Sequence, residues 1–393
     1  MSLGVAACIA DPWNGSGTTT TFANKLGYSS AGCDLNPVMV IASKAMVICR
    51  SELTSLAPLA HDIVNKAKRF SKAGDNDNDP LESWFAPSGA RYVRLIERAV
   101  QQLLIDTEKR VWLTDNDSVN ALSSITCFFY LALFRTMRRL LSRYYASNPT
   151  WVKIPDPACR VRPSMASILA IFEEEVVWMV DAAKGEAGCT GELNQRNNSV
   201  LQVASSAQMP FEASMADLVV TSPPYCTRID YAVATLPELA LLGYHFDTEF
   251  DVLRRALIGS STVPRKAPMA NELWGNACYR FLDGVLHHES KASASYYYKN
   301  HVQYFGSMFE SIGEVGRILK PAGHCVMVVQ DSYYKNIHND LARTFTEMFA
   351  HYGLELVSRK DFISNRNMAR INPGVSKYRA PKEPVESVLC FRK

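Results

Sequence analysis

Near its start the chain runs Val5-Ala6-Ala7-Cys8-Ile9-Ala10, an apolar stretch without alternation, and then meets Asp11-Pro12 and a turn holding Gly15, Ser16 and Gly17. A continuous apolar run stopped by turn residues and followed by helix-start signals reads as a buried strand, a tight turn and a helix. The pattern repeats at once. Gly27-Tyr28 breaks the helix, Ser30 to Cys33 is long enough for a second strand, and Asp34-Leu35-Asn36-Pro37 closes it before Val38 opens another helical pattern. Strand, helix, strand, helix in succession implies a parallel sheet, because strands of one direction must be joined by a crossover.

From about Ala45 to Gln195 the alternation stops, and long helical patterns cover Arg91 to Ile105, Val119 to Tyr145 and Met165 to Val180. Asp75 to Pro80 within this stretch reads as a solvated acidic loop, since it lacks the glycine and distal glutamate of a calcium loop. Sheet signals return at Ser199 to Ala204 and at Asp217 to Thr221, the second running into Ser222-Pro223-Pro224-Tyr225. An irregular stretch, His245 to Ser295, precedes an amphipathic helix from Lys299 to Leu319 that Lys320-Pro321-Ala322-Gly323 ends. His324 to Gln330 then reads as a strand, Ile337 to His351 as a helix, and Leu354 to Asp361 and Glu386 to Arg392 as the last strands. The expected fold class is α/β, a doubly wound seven-stranded sheet with a large helical insertion. Its parts divide as 1–45, the insertion 46–195, 196–244, a smaller insertion 245–295, and 296–393.

Composition excludes more than it selects. The 42 Lys and Arg against 39 Asp and Glu give a formal +3, too mild to announce a nucleic-acid protein, although a local basic face can hide in such a total. The 10 cysteines are scattered without a C-x-x-C pair, which argues against structural zinc and for reduced thiols without disulfides. Apolar runs such as Ile125 to Phe134 fall well short of a membrane span, and Met1 to Ala10 has no positively charged leader region. A soluble, cytoplasmic chain is expected.

Glycines at a strand-to-helix turn let backbone approach a ligand and leave helix N-terminal N–H groups free, which suits a nucleotide-like molecule. Lys25 lies too far beyond Gly15 and Gly17 for a phosphate loop of the G-x-x-x-x-G-K-[ST] kind, so ATP is disfavoured. Asp34, at the end of the second strand, stands where an acidic side chain takes a ribose hydroxyl pair in dinucleotide folds. In Ser222-Pro223-Pro224-Tyr225 successive prolines fix φ and remove donors, so the backbone presents carbonyl acceptors stiffly beside the serine oxygen. An amino group with two N–H donors fits between those acceptors, and Tyr225 offers a face for a flat base.

Together these segments resemble the S-adenosylmethionine-dependent amino-methyltransferases, especially those that modify exocyclic amines of DNA bases. Asp11 to Thr19 is similar to their Asp-Pro-Phe-x-Gly-Ser-Gly-Thr-Thr motif with Trp13 in place of Phe, and Gly32 to Pro37 to their Gly-x-Asp-x-Asn-Pro. Ser222 to Tyr225 matches the Ser-Pro-Pro-Tyr motif, the variant commoner in cytosine-N4 than in adenine-N6 enzymes, and Arg317 to Gly323 resembles a recurrent turn of the fold. The resemblance implies that Asp11, Pro12, Trp13, Asn14, Gly15, Ser16, Gly17 and Thr18 line the methionine end of S-adenosylmethionine, that Asp34 with Leu35 holds the ribose, and that Asn36 and Pro37 flank the adenine. It further implies that Ser222 and the Pro223 carbonyl bind the target amine, with Pro224 and Tyr225 completing the motif and Tyr225 stacking on an extruded base. No metal is required.

Two departures qualify the match. Ser206 stands where the family often has an acidic adenine contact, and the helix that usually precedes the glycine motif has no counterpart before Val5. The pocket is therefore completed by the insertion, by a partner, or not at all. Arg135, Arg138, Arg139 and Arg143 follow one another at helical spacing, and Lys153, Arg160 and Arg228 lie in basic, irregular stretches; Arg139, Arg143, Lys153, Arg160 and Arg228 are the candidate nucleic-acid contacts. Arg254 and Arg255 read as ion-pair partners or phosphate clamps. The expected activity is site-specific methylation of DNA, cytosine N4 ahead of adenine N6, with DNA and, by family habit, a restriction or defence-system partner. Rivals are an RNA or protein amino-methyltransferase and a non-catalytic binding module of the same fold. Cys226, beside the motif, is not expected to be a nucleophile, since that chemistry belongs to C5 methylation.

Overall fold

The computed structural model describes residues 4, 6–70, 78–107, 110–146, 152–186, 198–226, 230–263, 269–363 and 385–393. Two strand-turn-helix units open the chain as expected: β1 (Cys8–Asp11), α1 (Thr18–Lys25), β2 (Ser29–Asp34) and α2 (Pro37–Met46). The insertion follows as α3 (Leu53–Arg69), α4 (Pro87–Leu104), α5 (Asn116–Asn120), α6 (Ser124–Leu140) and α7 (Met165–Glu186). The single helix expected over Val119 to Tyr145 is thus interrupted. Ser123 starts a new helix there by accepting the Thr126 amide on its hydroxyl, at 3.1 Å.

The chain returns to the sheet with β3 (Ser199–Val203) and β4 (Ala216–Thr221), then forms α8 (Tyr231–Ala234), α9 (Leu236–Leu242), α10 (Glu249–Ala256) and α11 (Asn276–His287). The stretch expected to be irregular, His245 to Ser295, therefore carries two helices. Helix α12 (Tyr298–Ile318) leads into β5 (Leu319–Gln330), a hairpin of β6 (Ser332–Tyr334) and β7 (Ile337–Asn339), helix α13 (Leu341–His351), β8 (Glu355–Ile363) and β9 (Val385–Arg392). Lys320 to Gly323 belongs to β5 instead of separating helix from strand. Ala322 takes a positive φ of 63° there, and its amide and the Gly323 carbonyl pair with Lys393. The helix expected from Ile337 starts only at Leu341, where the Asp340 carboxylate accepts the Arg343 amide at 2.9 Å, because Ile337 to Asn339 pair back onto β6.

The sheet order is β3-β2-β1-β4-β5-β9-β8. Every pairing from β3 to β5 is parallel, as expected from the opening units, and β9 runs antiparallel to both β5 and β8. This is the doubly wound, Rossmann-like methyltransferase type of sheet. Strand order reverses between β1 and β4, and ligands of open α/β sheets lie at the carboxyl ends of the strands flanking such a reversal. Asp11 ends β1, Asp34 ends β2, and Ser222 follows β4 directly.

Two cores hold this arrangement. One packs sheet residues such as Ala10, Val219 and Met327 against α11, α12 and α13. The other joins Val38 and Ile41 of α2 to the insertion helices and to Leu236–Leu242 and Phe250 of α9 and α10, so the insertion shares one interior with helices that flank the sheet. A buried ion network reinforces that junction. Arg94 of α4 is 2% exposed and donates to Asp79 at 2.8 Å, to Glu97 at 2.7 Å, and to the carbonyl oxygens of Ala240 and Leu241 at the end of α9. Asp79 therefore leaves the solvated loop it was expected to join; Asp75 to Asp77 lie outside the described residues.

Candidate active site

The glycine turn is fastened to both neighbouring strands. The Asp11 carboxylate is buried and accepts the Thr221 hydroxyl at 2.6 Å and the Trp13 amide at 3.1 Å. Burial pushes the Asp11 carboxyl above its ordinary range, against the pull of hydrogen bonds from Thr221, Thr19 and Trp13. Because Thr221 directly precedes Ser222, this bond ties the glycine turn to the start of the Ser-Pro-Pro-Tyr segment. Asn14 is buried, accepts the Thr20 hydroxyl at 2.9 Å, and leaves no room for a side chain at residue 32, where an added Cβ would lie 2.7 Å away. Pro12 is buried, while the side chains of Ser16 and Thr18 are exposed.

Gly15 and Gly17 both have positive φ, at 50° and 91°, for different reasons. A Cβ on Gly17 would lie 2.7 Å from the Ser43 Cβ of α2, so this glycine lets two helices meet. A Cβ on Gly15 would meet nothing within 4 Å and would fill open space in front of the turn. The Gly15 amide donates to Asp34 at 3.0 Å, and the Asn36 amide donates to its other oxygen at 2.8 Å. Burial outweighs both bonds and pushes the Asp34 carboxyl up to about 6. Among the described residues the buried indole N–H of Trp13 has no acceptor. An open cradle at Gly15, a carboxylate at the end of β2 and an unspent donor on Trp13 fit a nucleoside-bearing ligand with hydroxyl and carboxylate groups.

Other residues assigned from the resemblance are committed to the protein itself. The Asn36 side chain caps α2 by accepting the Val38 amide and donates to the Thr235 hydroxyl at 2.9 Å. Leu35 packs on the insertion core, and the Ser206 hydroxyl lies 2.8 Å from that of Ser311 in the interior.

Beyond β4 Ser222 is exposed, Pro223 buried, and Pro224 and Tyr225 half-buried. Among the described residues neither the Ser222 hydroxyl nor the Pro223 carbonyl has a hydrogen-bond partner, whereas the Pro224 carbonyl accepts from the Tyr304 hydroxyl at 2.9 Å. Tyr304, 3% exposed, went unnoticed in the sequence. The signal for Tyr304 was its place on the apolar face of the α12 pattern, where a tyrosine hydroxyl needs a partner. Cys226 lies 3.3 Å from His301, and burial pushes its thiol up to about 12, so it is not a thiolate near neutral pH.

The basic candidates are largely paired. Arg135 meets Glu175 at 2.6 Å, Arg138 binds the buried Glu238, and Arg139 meets Glu174 at 2.9 Å and Glu175 at 3.2 Å. Arg143 donates to the Cys159 carbonyl at 2.7 Å and lies over the Tyr144 ring. Lys153 is exposed, Arg160 is half-buried with an unpartnered Nε, and Arg228 lies outside the described residues. Arg254 and Arg255 each form an ion pair at 2.7 Å, with Asp230 and Asp251.

The strand order and the site at its reversal define the class, a sheet of the methyltransferase type. No family model matches the chain. It is 22% identical over 396 residues to the type II methyltransferase M.MvaI of Kocuria varians, across 93% of this chain and 80% of that protein. Among solved structures it is similar to an S-adenosylmethionine-dependent methyltransferase from Methanosarcina mazei, at 9% identity and a TM-score of 0.32, covering 100% of this chain and 94% of that one. A 16S rRNA (adenine-N1) methyltransferase from Catenulisporales acidiphilia aligns at 11% identity and a TM-score of 0.21, over 55% of this chain and 71% of its own.

Proposed function

We propose that this protein is an S-adenosylmethionine-dependent DNA methyltransferase that modifies an exocyclic base amine, cytosine N4 ahead of adenine N6. The observation that carries the reading is the 2.6 Å bond from Thr221 to Asp11, which sets an open, glycine-built cradle beside an exposed Ser222 at the carboxyl ends of adjacent parallel strands. Asp34 would hold the ribose, Gly15 would give the cofactor backbone its approach, and the Trp13 N–H would supply a donor. S-adenosylmethionine, when bound, supplies an electrophilic methyl group.

The chain's own part is to orient the amine and take nothing covalently. Ser222 Oγ and the Pro223 carbonyl accept the two N–H bonds, which draws the nitrogen lone pair out of conjugation with the ring. Tyr225 stacks on the extruded base, since a base inside a duplex cannot reach such a pocket. The proton released after transfer passes to solvent, which reaches Ser222. Among the described residues, Lys153 and Arg160 are the basic candidates whose side chains make neither an ion pair nor a hydrogen bond, and the DNA backbone would lie across them; Arg139 and Arg143 would reach phosphate only by leaving their present partners.

The test is nucleoside mass spectrometry on DNA incubated with the protein and S-adenosylmethionine, with Ser222→Ala as control. N4-methylcytosine or N6-methyladenine is expected with the wild type and about 10²–10³-fold less with the variant, the usual cost of removing one positioned polar group. Measurable cofactor binding without any mark on DNA would overturn the DNA assignment in favour of RNA or protein acceptors.

A further inference from the structure

Near its start α12 buries three polar residues on one face: Asn300, His301 and Tyr304, at 8%, 6% and 3% exposure. The same face continues as Phe305, Met308 and Ile312 in the core against the sheet. A polar side chain is costly to bury unless it is hydrogen-bonded, and each of these three bonds to a neighbour of Tyr225. Tyr304 donates to the carbonyl of Pro224, the residue before it, at 2.9 Å. His301 Nδ1 lies 3.3 Å from the Sγ of Cys226, the residue after it, and Phe281 meets the imidazole edge-on with ring centroids 4.9 Å apart. Asn300 Nδ2 donates to the Ser260 carbonyl at 2.8 Å. Ser260 belongs to a loop that packs on the Tyr225 backbone, where an added Cβ on Gly259 would lie 3.3 Å from the Tyr225 carbonyl oxygen.

We propose that Asn300 and His301 are positioning residues for Tyr225, so that the first turns of α12 fix the direction in which its ring meets a flat base. A side-chain rotamer depends on the backbone beneath it. With the residue before Tyr225, the residue after it and the loop against it all tied to one helix, its Cα–Cβ bond keeps one direction and the face for the base is formed before any ligand arrives. The catalytic consequence rests on the methyltransferase reading, whereas the frame around Tyr225 does not. Cys226 acts in this frame as a tether, in keeping with a thiol that burial pushes up to about 12. Through Gly259 and Ser260 the stretch 245–295 takes part in holding the Ser-Pro-Pro-Tyr segment.

Fluorine NMR tests the frame on the ligand-free protein, with 4-trifluoromethylphenylalanine in place of Tyr225 and, in a reference sample, in place of Tyr92 on α4. One resonance is expected at Tyr225 when α12 is unchanged. In Asn300→Leu and in His301→Leu a second resonance is expected to grow about tenfold or more, the scale of one lost hydrogen bond, with Tyr92 unchanged. Several resonances at Tyr225 with α12 unchanged, a single one in both variants, or the same change at Tyr92, overturn the frame. The second arm is the methylation rate: each variant is expected to lower kcat about tenfold with the S-adenosylmethionine Kd within about twofold, and to add no further loss in a Tyr225→Ala background. His301→Asn, which keeps a polar atom near the place of Nδ1, is expected to recover most of the loss. Equal losses in the Tyr225→Ala background overturn the positioning role. A second resonance in the variants, with no methyl transfer by the wild type on any DNA, establishes the frame and overturns the methyltransferase reading instead.

Discussion

Gly15→Ala and Gly17→Ala change residues two positions apart in one turn, and the structure assigns them opposite consequences. Both replace a glycine at positive φ, which costs a non-glycine residue about 1–2 kcal/mol. At Gly17 the new methyl also meets Ser43 Cβ at 2.7 Å and its Cα at 3.0 Å, contacts that backbone must move to relieve, adding roughly 1–3 kcal/mol of overpacking. At Gly15 nothing lies within 4 Å, so strain is the whole cost to the ligand-free fold. Urea unfolding without ligand is therefore expected to show a loss of about 2–5 kcal/mol for Gly17→Ala and about 1–2 kcal/mol for Gly15→Ala. Repeated at a cofactor concentration near 100 times Kd, the wild type gains about 2.7 kcal/mol. Gly15→Ala should forfeit most of that gain, because its methyl occupies the open space assigned to the cofactor. Equal destabilisation by the two variants, or wild-type cofactor affinity in Gly15→Ala, would refute this division of roles.

Two other outcomes are expected. Asp34, pushed up to about 6 by burial, holds its proton in the free protein below that pH and accepts ribose hydroxyls with both oxygens, and more strongly, once ionised. Affinity for S-adenosylmethionine should then rise with pH through about 6 and level off, with protons released on binding near pH 6 in calorimetry across buffers of different ionisation enthalpy; Asp34→Asn should abolish both effects. The sign for the ligand-free fold is opposite, because a raised carboxyl pKa means that this group favours folding as pH falls from about 6 toward its ordinary 3.8. Arg94→Met should cost about 3–5 kcal/mol by denaturation, since it leaves Glu97 buried without its hydrogen-bonded cation and Asp79 with only Arg110, at 3.9 Å, and adding Glu97→Gln should recover part of that loss.

The opening units were legible because their signals are local. An apolar run, a stop at Asp11-Pro12 and glycines at two positions specify strand, turn and helix within twenty residues, and the observed β1, α1, β2 and α2 fall within a few residues of that reading. Asp34 and Ser222 were placed at strand ends for the same reason. What escaped depends on partners distant in sequence. Asp79 resembles any acid in a polar loop until Arg94 comes beside it, and Asn36 looks like a ligand-facing amide until Thr235 arrives to take its second bond. Arg139 reads as a phosphate contact only while Glu174 and Glu175 are out of view. Strand β7 was read as the start of a helix, and β6 was not read at all, because three-residue strands are too short for a period to show.

The separation of 210 positions between Asp11 and Thr221 gives the site a history as well as a geometry. At about 5–20 residues per second on the ribosome, β1 and β2 wait roughly 10–40 s before β4 emerges to pair with them. During that interval the insertion helices are made, yet their shared core stays open until Leu236 to Phe250 arrive later still. The glycine turn is thus synthesised well before it can be completed. A chain released before Thr221 would carry every residue of the cofactor motif without the hydroxyl that fastens its aspartate. Splitting or permuting this protein should accordingly keep β1 and β4 on one piece, whatever is done with the helices between them.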